Sequence, residues 1–249
     1  MKKKLKGAYL LVSALLIALL HLSFAFGKNV FGSHTFAAFA PDKTKTDSLS
    51  PFAGGKSIYD SLHLDSIGLS RQAFEYAQKG WNKLLQEGRL SNPAVLAIVD
   101  FSQPSSHKRL YILDLKQYKV LFQTLVAHGR NSGKELATSF SNLPSSYKSS
   151  PGFYITGETY NGKHGYSLKL NGVEKGINDN AYNRAIVVHG ADYVDESYAS
   201  SQGYIGRSLG CPAVPEKEAQ PIINTIRDNT CFFIYEPGVS YSVRSTMLN

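Results

Sequence analysis

Two short stretches in the C-terminal third constrain this chain more than any other feature. Residues 185–188 form an apolar run that ends at His189, a pattern that predicts a buried β-strand with a histidine at its end. Twenty-two residues later comes Cys211, preceded by a glycine that permits a tight turn and leaves the sulfur accessible. A thiolate is a far better nucleophile than a thiol, and a neighbouring imidazole is the usual acceptor of its proton. We therefore expect His189 and Cys211 to meet as base and nucleophile.

The residues around this pair resemble the L,D-transpeptidase family of the YkuD type, whose catalytic domain remodels bacterial peptidoglycan. That family carries a strand ending in His-Gly and then Ser-x-Gly-Cys, which match His189-Gly190 and Ser208-Leu209-Gly210-Cys211 here. The chain is most similar to the murein L,D-transpeptidase catalytic domain branch, through three segments in the same order: Ala127–Gly133, Gly157–Gly165 and Gly206–Ala213.

The chain departs from the better-known branch of the family at two points. That branch has a histidine at the position of Leu209 and an arginine or asparagine shortly after the cysteine, where this chain has Pro212 and Ala213. The roles of those side chains in binding substrate are therefore not carried over.

The resemblance implies a mainly β fold with some α structure. We expect an L,D-transpeptidase-like twisted β-sandwich as the catalytic domain at residues 93–238, preceded by a helical brace at residues 57–92. Residues 239–249 are expected to be a tail.

The resemblance also implies an activity that needs no cofactor. Cys211 is expected to form an acyl-enzyme with a tetrapeptide stem of peptidoglycan and to transfer it to an amine. An L,D-carboxypeptidase that uses water as the acceptor and a non-catalytic peptidoglycan-binding module are the alternatives. Peptidoglycan stem peptides are the expected partners, and carbapenems are expected inhibitors.

Further site residues follow from the same motifs. Ser208 is expected to support the catalytic turn or to orient the imidazole, and backbone N–H groups near Gly210 and Cys211 are expected to hold the oxyanion. Arg207 is the expected anion-binding group, because a guanidinium pairs with carboxylates through two parallel hydrogen bonds. The remaining candidates for substrate binding are His128, which either lines the cleft or caps a strand, and Gly129, Tyr160, His164 and Gly190.

The N-terminus carries a targeting pattern. Residues 1–27 combine four lysines, an apolar run and small residues at a cleavage position, so we expect a signal peptide or an uncleaved anchor. Its removal takes away four lysines and no acid, and lowers the net charge from +8 to +4. Residues 28–56 are expected to be a flexible linker. The protein is thus expected to be exported to the periplasm or cell envelope, to meet a membrane only through this segment, and to bind no nucleic acid.

Secondary structure is predicted from periodicity. Residues 71–87 carry apolar side chains at helical spacing, with Ser70 as the N-cap and Gly88 after the end. Residues 94–101 predict a strand buried on both faces, and residues 108–126 predict a hairpin. Residues 158–165 are predicted to be a loop, and Asn171-Gly172 is predicted to close a second hairpin.

Other chemistries are weaker alternatives. Two cysteines in an exported chain are compatible with a disulfide, but Cys231 begins an apolar strand whereas Cys211 lies in a turn. The seven histidines show no zinc-ligand spacing. Gly206–Gly210 fits Gly-x-Ser-x-Gly, yet no helix pattern follows it, as a serine-hydrolase elbow requires.

Overall fold

The computed structural model describes residues 57–249 and begins with a helical segment. Helix α1 spans Ile58–Ser61 and helix α2 spans Arg71–Gln86. The Ser70 side chain accepts a hydrogen bond from the amide of Ala73, which satisfies one of the free donors at the start of α2. Gly88 follows the last turn at φ 66°. The predicted helix and both of its ends are therefore present.

Eight strands form the rest of the framework, together with three more helices. The strands are β1 (Val95–Asp100), β2 (Leu110–Asp114), β3 (Lys119–Thr124), β4 (Gly152–Gly162), β5 (Gly165–Gly172), β6 (Val187–Ala191), β7 (Ala213–Pro215) and β8 (Cys231–Tyr235). The helices are α3 (Glu196–Gln202), α4 (Glu216–Ile226) and α5 (Val239–Arg244).

The strands belong to one sheet in the order β3-β2-β1-β8-β4-β5-β6-β7. The pairs β1–β8 and β6–β7 are parallel, and the other neighbours are antiparallel. The chain that leaves β3 pairs with β7 through a bridge between Ala127 and Ala213, so the sheet curls until its two ends nearly meet. The prediction of a mainly β fold with a few helices is confirmed.

The central strands of the sheet, β1, β2 and β8, are buried on both faces. Successive residues of a strand point to opposite sides, and in β1 Leu96 and Ile98 join one apolar cluster while Ala97 and Val99 join another. Helix α2 covers the first cluster, and α4 packs against the second. The helical segment thus braces the sheet, as the sequence predicts.

The second hairpin differs from its prediction. Strand β4 continues to Gly162 and pairs with β5, so the turn lies at residues 163–164 and Asn171-Gly172 is inside β5. Gly172 is needed for space, because a Cβ there would lie 2.0 Å from the carbonyl oxygen of Asn178. The Asn-Gly pair therefore marks a close approach of two backbone segments and not a turn.

The C-terminal residues also differ from the predicted tail. Helix α5 and the residues after it bury Tyr241, Met247 and Leu248. The hydroxyls of Tyr241 and Ser245 donate to the buried carboxyl of Glu174, which also accepts the amide of Phe153. The end of the chain is thus part of the core packing.

The predicted targeting segment (1–27) and linker (28–56) lie outside the described residues. Within residues 57–249, no helix has the length and apolar character needed to cross a membrane.

Candidate active site

The turn that presents Cys211 is held by the side chain of Ser208. The Ser208 hydroxyl donates to the carbonyl oxygen of Cys211 at 2.6 Å and accepts the amide of Gly210 at 3.0 Å. Gly210 has φ 128°, and a Cβ there would lie 2.9 Å from the carbonyl oxygen of Lys148. This turn therefore requires a glycine before the cysteine, as the motif predicts. Of the two roles open to Ser208, the structure shows the one of holding the turn.

The Gly210 amide is engaged inside this turn. Because its hydrogen points to the Ser208 oxygen, it does not point into a site where substrate would bind. The expectation that this amide holds an oxyanion is therefore corrected, and the amide of Cys211 remains the candidate donor.

Residues of the first sequence motif form backbone hydrogen bonds with the same turn. The amide of Ser208 donates to the His128 carbonyl at 3.0 Å, and the Arg130 amide donates to the Ser208 carbonyl at 2.8 Å. The Ala127 amide donates to the Ala213 carbonyl at 2.8 Å. These bonds explain why two motifs about 80 residues apart (127–130 and 208–213) act as one unit.

His189 lies on β6, the strand next to β7, and its Cα is in register with Ala213. Its side chain is 2% exposed, and Nδ1 lies 2.8 Å from the Gly190 carbonyl oxygen. Because a carbonyl oxygen only accepts, Nδ1 carries the hydrogen and Nε2 keeps a free lone pair. That tautomer is the one a general base requires, and the expected backbone-carbonyl partner of His189 is Gly190.

His189 and Cys211 line one cleft of about 410 Å³. Its charged and titratable lining consists of Tyr160, Lys163, His164, Arg184, His189, Tyr193, Arg207 and Cys211. No carboxylate lines the cleft in the part of the chain that the structure describes. The cleft is therefore suited to an anionic ligand.

Burial favours the neutral forms of both His189 and Cys211. Burial lowers the pKa of His189 below its usual value, and the charge of His164 lowers it further. Burial raises the pKa of the Cys211 thiol, partly offset by the Val187 amide and by Arg184. The thiol donates to the Ala185 carbonyl at 3.6 Å. At neutral pH a thiol and a neutral imidazole thus line the same cleft, and a neutral imidazole can accept a proton.

Both cysteines are free thiols. Cys231 is fully buried on β8 in the cluster beneath α2, whereas Cys211 is half-buried in the cleft and contacts the opposite cluster. The two sulfurs therefore lie on different faces of the sheet.

Three of the residues predicted to bind substrate line the cleft: Tyr160, His164 and Arg207. His164 lies at the tip of the β4–β5 hairpin, and its ring stacks on that of His189 with centroids 4.4 Å apart. Arg207 donates from Nη1 to the Gly133 carbonyl at 3.2 Å. The cleft thus joins residues of the second and third sequence motifs, and Arg207 links it to Gly133 of the first.

The other three predicted binding residues do not line the cleft. His128 is 0% exposed and lies between Arg109 and Gly133, so it has the capping role that the sequence left open. Gly129 has no room for a side chain, since a Cβ would lie 2.6 Å from the Tyr147 carbonyl oxygen. Gly190 contributes the carbonyl that orients His189. These residues shape the site without facing it.

Two residues that line the cleft, Arg184 and Tyr193, were not predicted from the sequence. Arg184 directly precedes the apolar run of the active-site strand, a position that offers no signal of its own, because arginines are common on protein surfaces. Tyr193 follows the strand, and burial raises its pKa to about 12. Among the described residues, no group of three or more potential metal ligands is found.

Comparison with known proteins gives a consistent picture. A family model described as the L,D-transpeptidase catalytic domain matches residues 66–235, which are 170 of the 249 residues. No curated protein is similar enough to the sequence to count as a match.

Several solved structures are similar at low identity. An L,D-transpeptidase from Mycobacterium smegmatis is 12% identical over 57% of this chain and 59% of its own, with a TM-score of 0.36. The L,D-transpeptidase LdtMt1 in complex with imipenem has the same values. The helical cell shape determining protein Pgp2 from Campylobacter jejuni is 14% identical over 72% of this chain and 62% of its own, with a TM-score of 0.39. The chain thus spans about 60% of the length of these structures.

Proposed function

The chain belongs to the L,D-transpeptidase catalytic domain family, and from that premise we propose that it is a peptidoglycan L,D-transpeptidase with Cys211 as its nucleophile. The family match confirms the resemblance drawn from the three sequence motifs. The single observation that supports Cys211 as the nucleophile is the shared cleft, which is lined by a free thiol and by an imidazole whose Nδ1 is bound to a backbone carbonyl.

The first half-reaction forms an acyl-enzyme. Nε2 of His189 takes the proton from the Cys211 sulfur as that sulfur attacks the carbonyl carbon of the L-centre of diaminopimelate in a tetrapeptide stem. The Cys211 amide is the proposed donor to the oxyanion, an interaction often worth about 3 kcal/mol. The tetrahedral intermediate then collapses, and the C–N bond to D-alanine breaks. His189 returns its proton to the departing amine, which leaves a thioester on Cys211.

The second half-reaction transfers the acyl group. A side-chain amine of a second stem attacks the thioester, His189 accepts a proton from that amine, and Cys211 leaves as the thiol. The product is a cross-link between two stems. If water attacks in place of the amine, the enzyme is an L,D-carboxypeptidase, and the access of amine and water to the thioester decides between the two.

The charge of the cleft supports this substrate class. Stem peptides carry carboxylates, and the cleft presents Arg207 and Lys163 without a lining carboxylate. Arg207 is proposed to bind a stem carboxylate, because a guanidinium can form two parallel hydrogen bonds with it. Tyr160 and His164 are proposed to contact the stem from the hairpin side of the cleft.

Intact-protein mass spectrometry tests the proposal directly. The reduced protein is incubated with imipenem and, separately, with a tetrapeptide donor. We expect one covalent adduct that is lost in Cys211→Ala and kept in Cys231→Ala, which removes the buried thiol as a matched control. An intact fold that binds stems without any adduct would instead identify a non-catalytic binding module. Analysis of the muropeptide products then separates transfer from hydrolysis.

The proposed substrate lies outside the cytoplasm, so we also propose that the protein acts in the periplasm or cell envelope. Cell fractionation together with protease access in intact and permeabilised cells tests this placement. Recovery of the full-length chain only from the cytoplasm would contradict it.

A further inference from the structure

We propose that Arg184 is a positioning residue for Cys211, whose guanidinium is locked beside the catalytic turn and favours the negatively charged sulfur. The inference rests on the proposed role of Cys211 as the nucleophile. It assigns a task to a side chain that no sequence motif contains.

The guanidinium is held by the segment between β3 and β4. Nη1 donates to the Ser141 carbonyl at 2.8 Å and to the Ser150 hydroxyl at 2.6 Å. Nη2 donates to the Lys148 carbonyl at 2.6 Å and to the Ser146 hydroxyl at 3.3 Å. All four acceptors are neutral, and Arg184 forms no ion pair with a carboxylate among residues 57–249. Its positive charge is therefore fixed in place and not neutralised by a partner.

The same guanidinium packs against the turn that presents the nucleophile. A Cβ at Gly210 would lie 3.2 Å from Nη2 of Arg184, so the glycine is what allows this approach. The next residue in the chain, Ala185, accepts the Cys211 thiol hydrogen through its carbonyl. Ala185 has φ 53°, a left-handed conformation that is uncommon for a residue with a side chain. The Arg184 side chain thus approaches the residue before the cysteine, and the Ala185 backbone binds the cysteine thiol.

The hydrogen bonds of Arg184 argue against a second role as a clamp for substrate carboxylate. Both of its terminal nitrogens already donate to two protein acceptors each. Arg207, in the same cleft, has a more exposed side chain with only weaker bonds from Nη1 to two carbonyls. We therefore assign Arg184 an electrostatic effect on the Cys211 sulfur and not a role in binding a substrate carboxylate.

The electrostatics of the cleft agree with this assignment. Burial raises the pKa of the Cys211 thiol, and the charge of Arg184 opposes that rise. The other titratable or charged groups that face the cleft are Tyr160, Lys163, His164, His189, Tyr193 and Arg207. Of the arginines and lysines in the described part of the chain, Arg184 is the one whose charge lowers the Cys211 pKa. Two opposite charges at short range attract strongly where water is excluded.

Alkylation of Cys211 by iodoacetamide as a function of pH tests the proposal without any substrate. Only the thiolate reacts, so the rate at neutral pH reports the ionised fraction, and peptide mapping assigns the modified cysteine. In Arg184→Gln we expect the midpoint of the rate profile to rise by about one pH unit, which lowers the rate at pH 7 about tenfold, with the same plateau at high pH. In Arg184→Lys, which keeps the charge, we expect most of the rate to return. Arg130→Gln removes an exposed arginine of the neighbouring motif and is the matched control.

The outcomes separate this inference from the proposed function. An unchanged midpoint in a folded Arg184→Gln protein overturns the role of Arg184, whatever the catalytic activity of the wild type. If Arg184→Gln does not fold, Arg184→Lys decides: a midpoint near that of the wild type supports the role, and a rise of one unit overturns it. A wild type that shows the expected alkylation profile but forms no adduct with a stem donor contradicts the proposed function alone.

Discussion

We expect mild acid to lower the free energy of unfolding of this protein through the imidazole of His128. It is completely buried, and Nη2 of Arg109 lies 2.8 Å from its Nδ1. Because a guanidinium only donates, Nδ1 is the acceptor and Nε2 donates to the Gly133 carbonyl at 3.2 Å. A second proton at Nδ1 would face the guanidinium directly. Burial, together with the charge of Arg109, therefore lowers the pKa of His128 to about 4.

The magnitude follows from the difference in proton binding between the two states. The unfolded chain protonates this histidine near pH 6.5, whereas the folded chain does so only near pH 4. Between these values the unfolded state binds more protons, so stability falls as the pH falls. The full contribution is present above pH 6.5 and is lost towards pH 4. At about 1.4 kcal/mol per pKa unit, a change from pH 7 to pH 4.5 removes about 2.5 kcal/mol from the free energy of unfolding.

Urea unfolding of the full-length chain at pH 7 and pH 4.5 measures this loss, with Trp81 as the only tryptophan reporter. The comparison is between wild type and His128→Gln, which keeps an acceptor and a donor but does not titrate. We expect the wild type to lose about 2.5 kcal/mol more than the variant between the two pH values. His107→Gln changes an exposed histidine and is the control. A pH dependence shared by wild type and His128→Gln to within about 0.5 kcal/mol would refute the reasoning.

Three further predictions follow from single contacts. Ser208→Ala removes two hydrogen bonds from the catalytic turn, so we expect a loss of about 2 kcal/mol in the free energy of unfolding, and an unchanged urea midpoint would contradict that role. His164→Phe keeps an aromatic ring against His189 but removes a charge that opposes protonation of that imidazole. The acid limb of the pH–rate profile is therefore expected to move to higher pH, and no movement argues against the coupling. Gly80→Ala places a Cβ 2.2 Å from the ring of Phe153, so we expect overpacking to cost about 1–3 kcal/mol in thermal unfolding, and a stabilised variant would show that the ring moves aside freely.

Local patterns predicted the parts of the fold that local forces decide. The helix at residues 71–86 has its apolar face, its serine N-cap and its glycine after the end within one short segment. Strand β1 is apolar at every position from Val95 to Val99, which is typical of a strand covered on two faces. The glycine before Cys211 is needed because of the φ angle of the turn, and the sequence motif contains that requirement directly.

Other features depended on segments that are distant in the sequence. Asn171-Gly172 has the composition of a hairpin turn, yet the close approach of Asn178 places it inside a strand. The last residues have the composition of a tail, but the hydroxyls of Tyr241 and Ser245 donate to the buried Glu174 carboxyl. These residues thereby join the core. Neither contact leaves a periodic signal in the sequence, since each depends on how separate segments pack.

The candidate site divides in the same way. The sequence alone predicted Cys211 and His189 as nucleophile and base, because these roles need particular residue types in a recognisable local setting. It predicted the loop residues Tyr160, His164 and Arg207 by their motifs, and all five residues line the cleft. Only the tertiary structure placed His128 in the interior and Arg184 against the turn that carries the sulfur. Burial and electrostatic distance are properties of the folded chain, and the identity of a residue does not encode them.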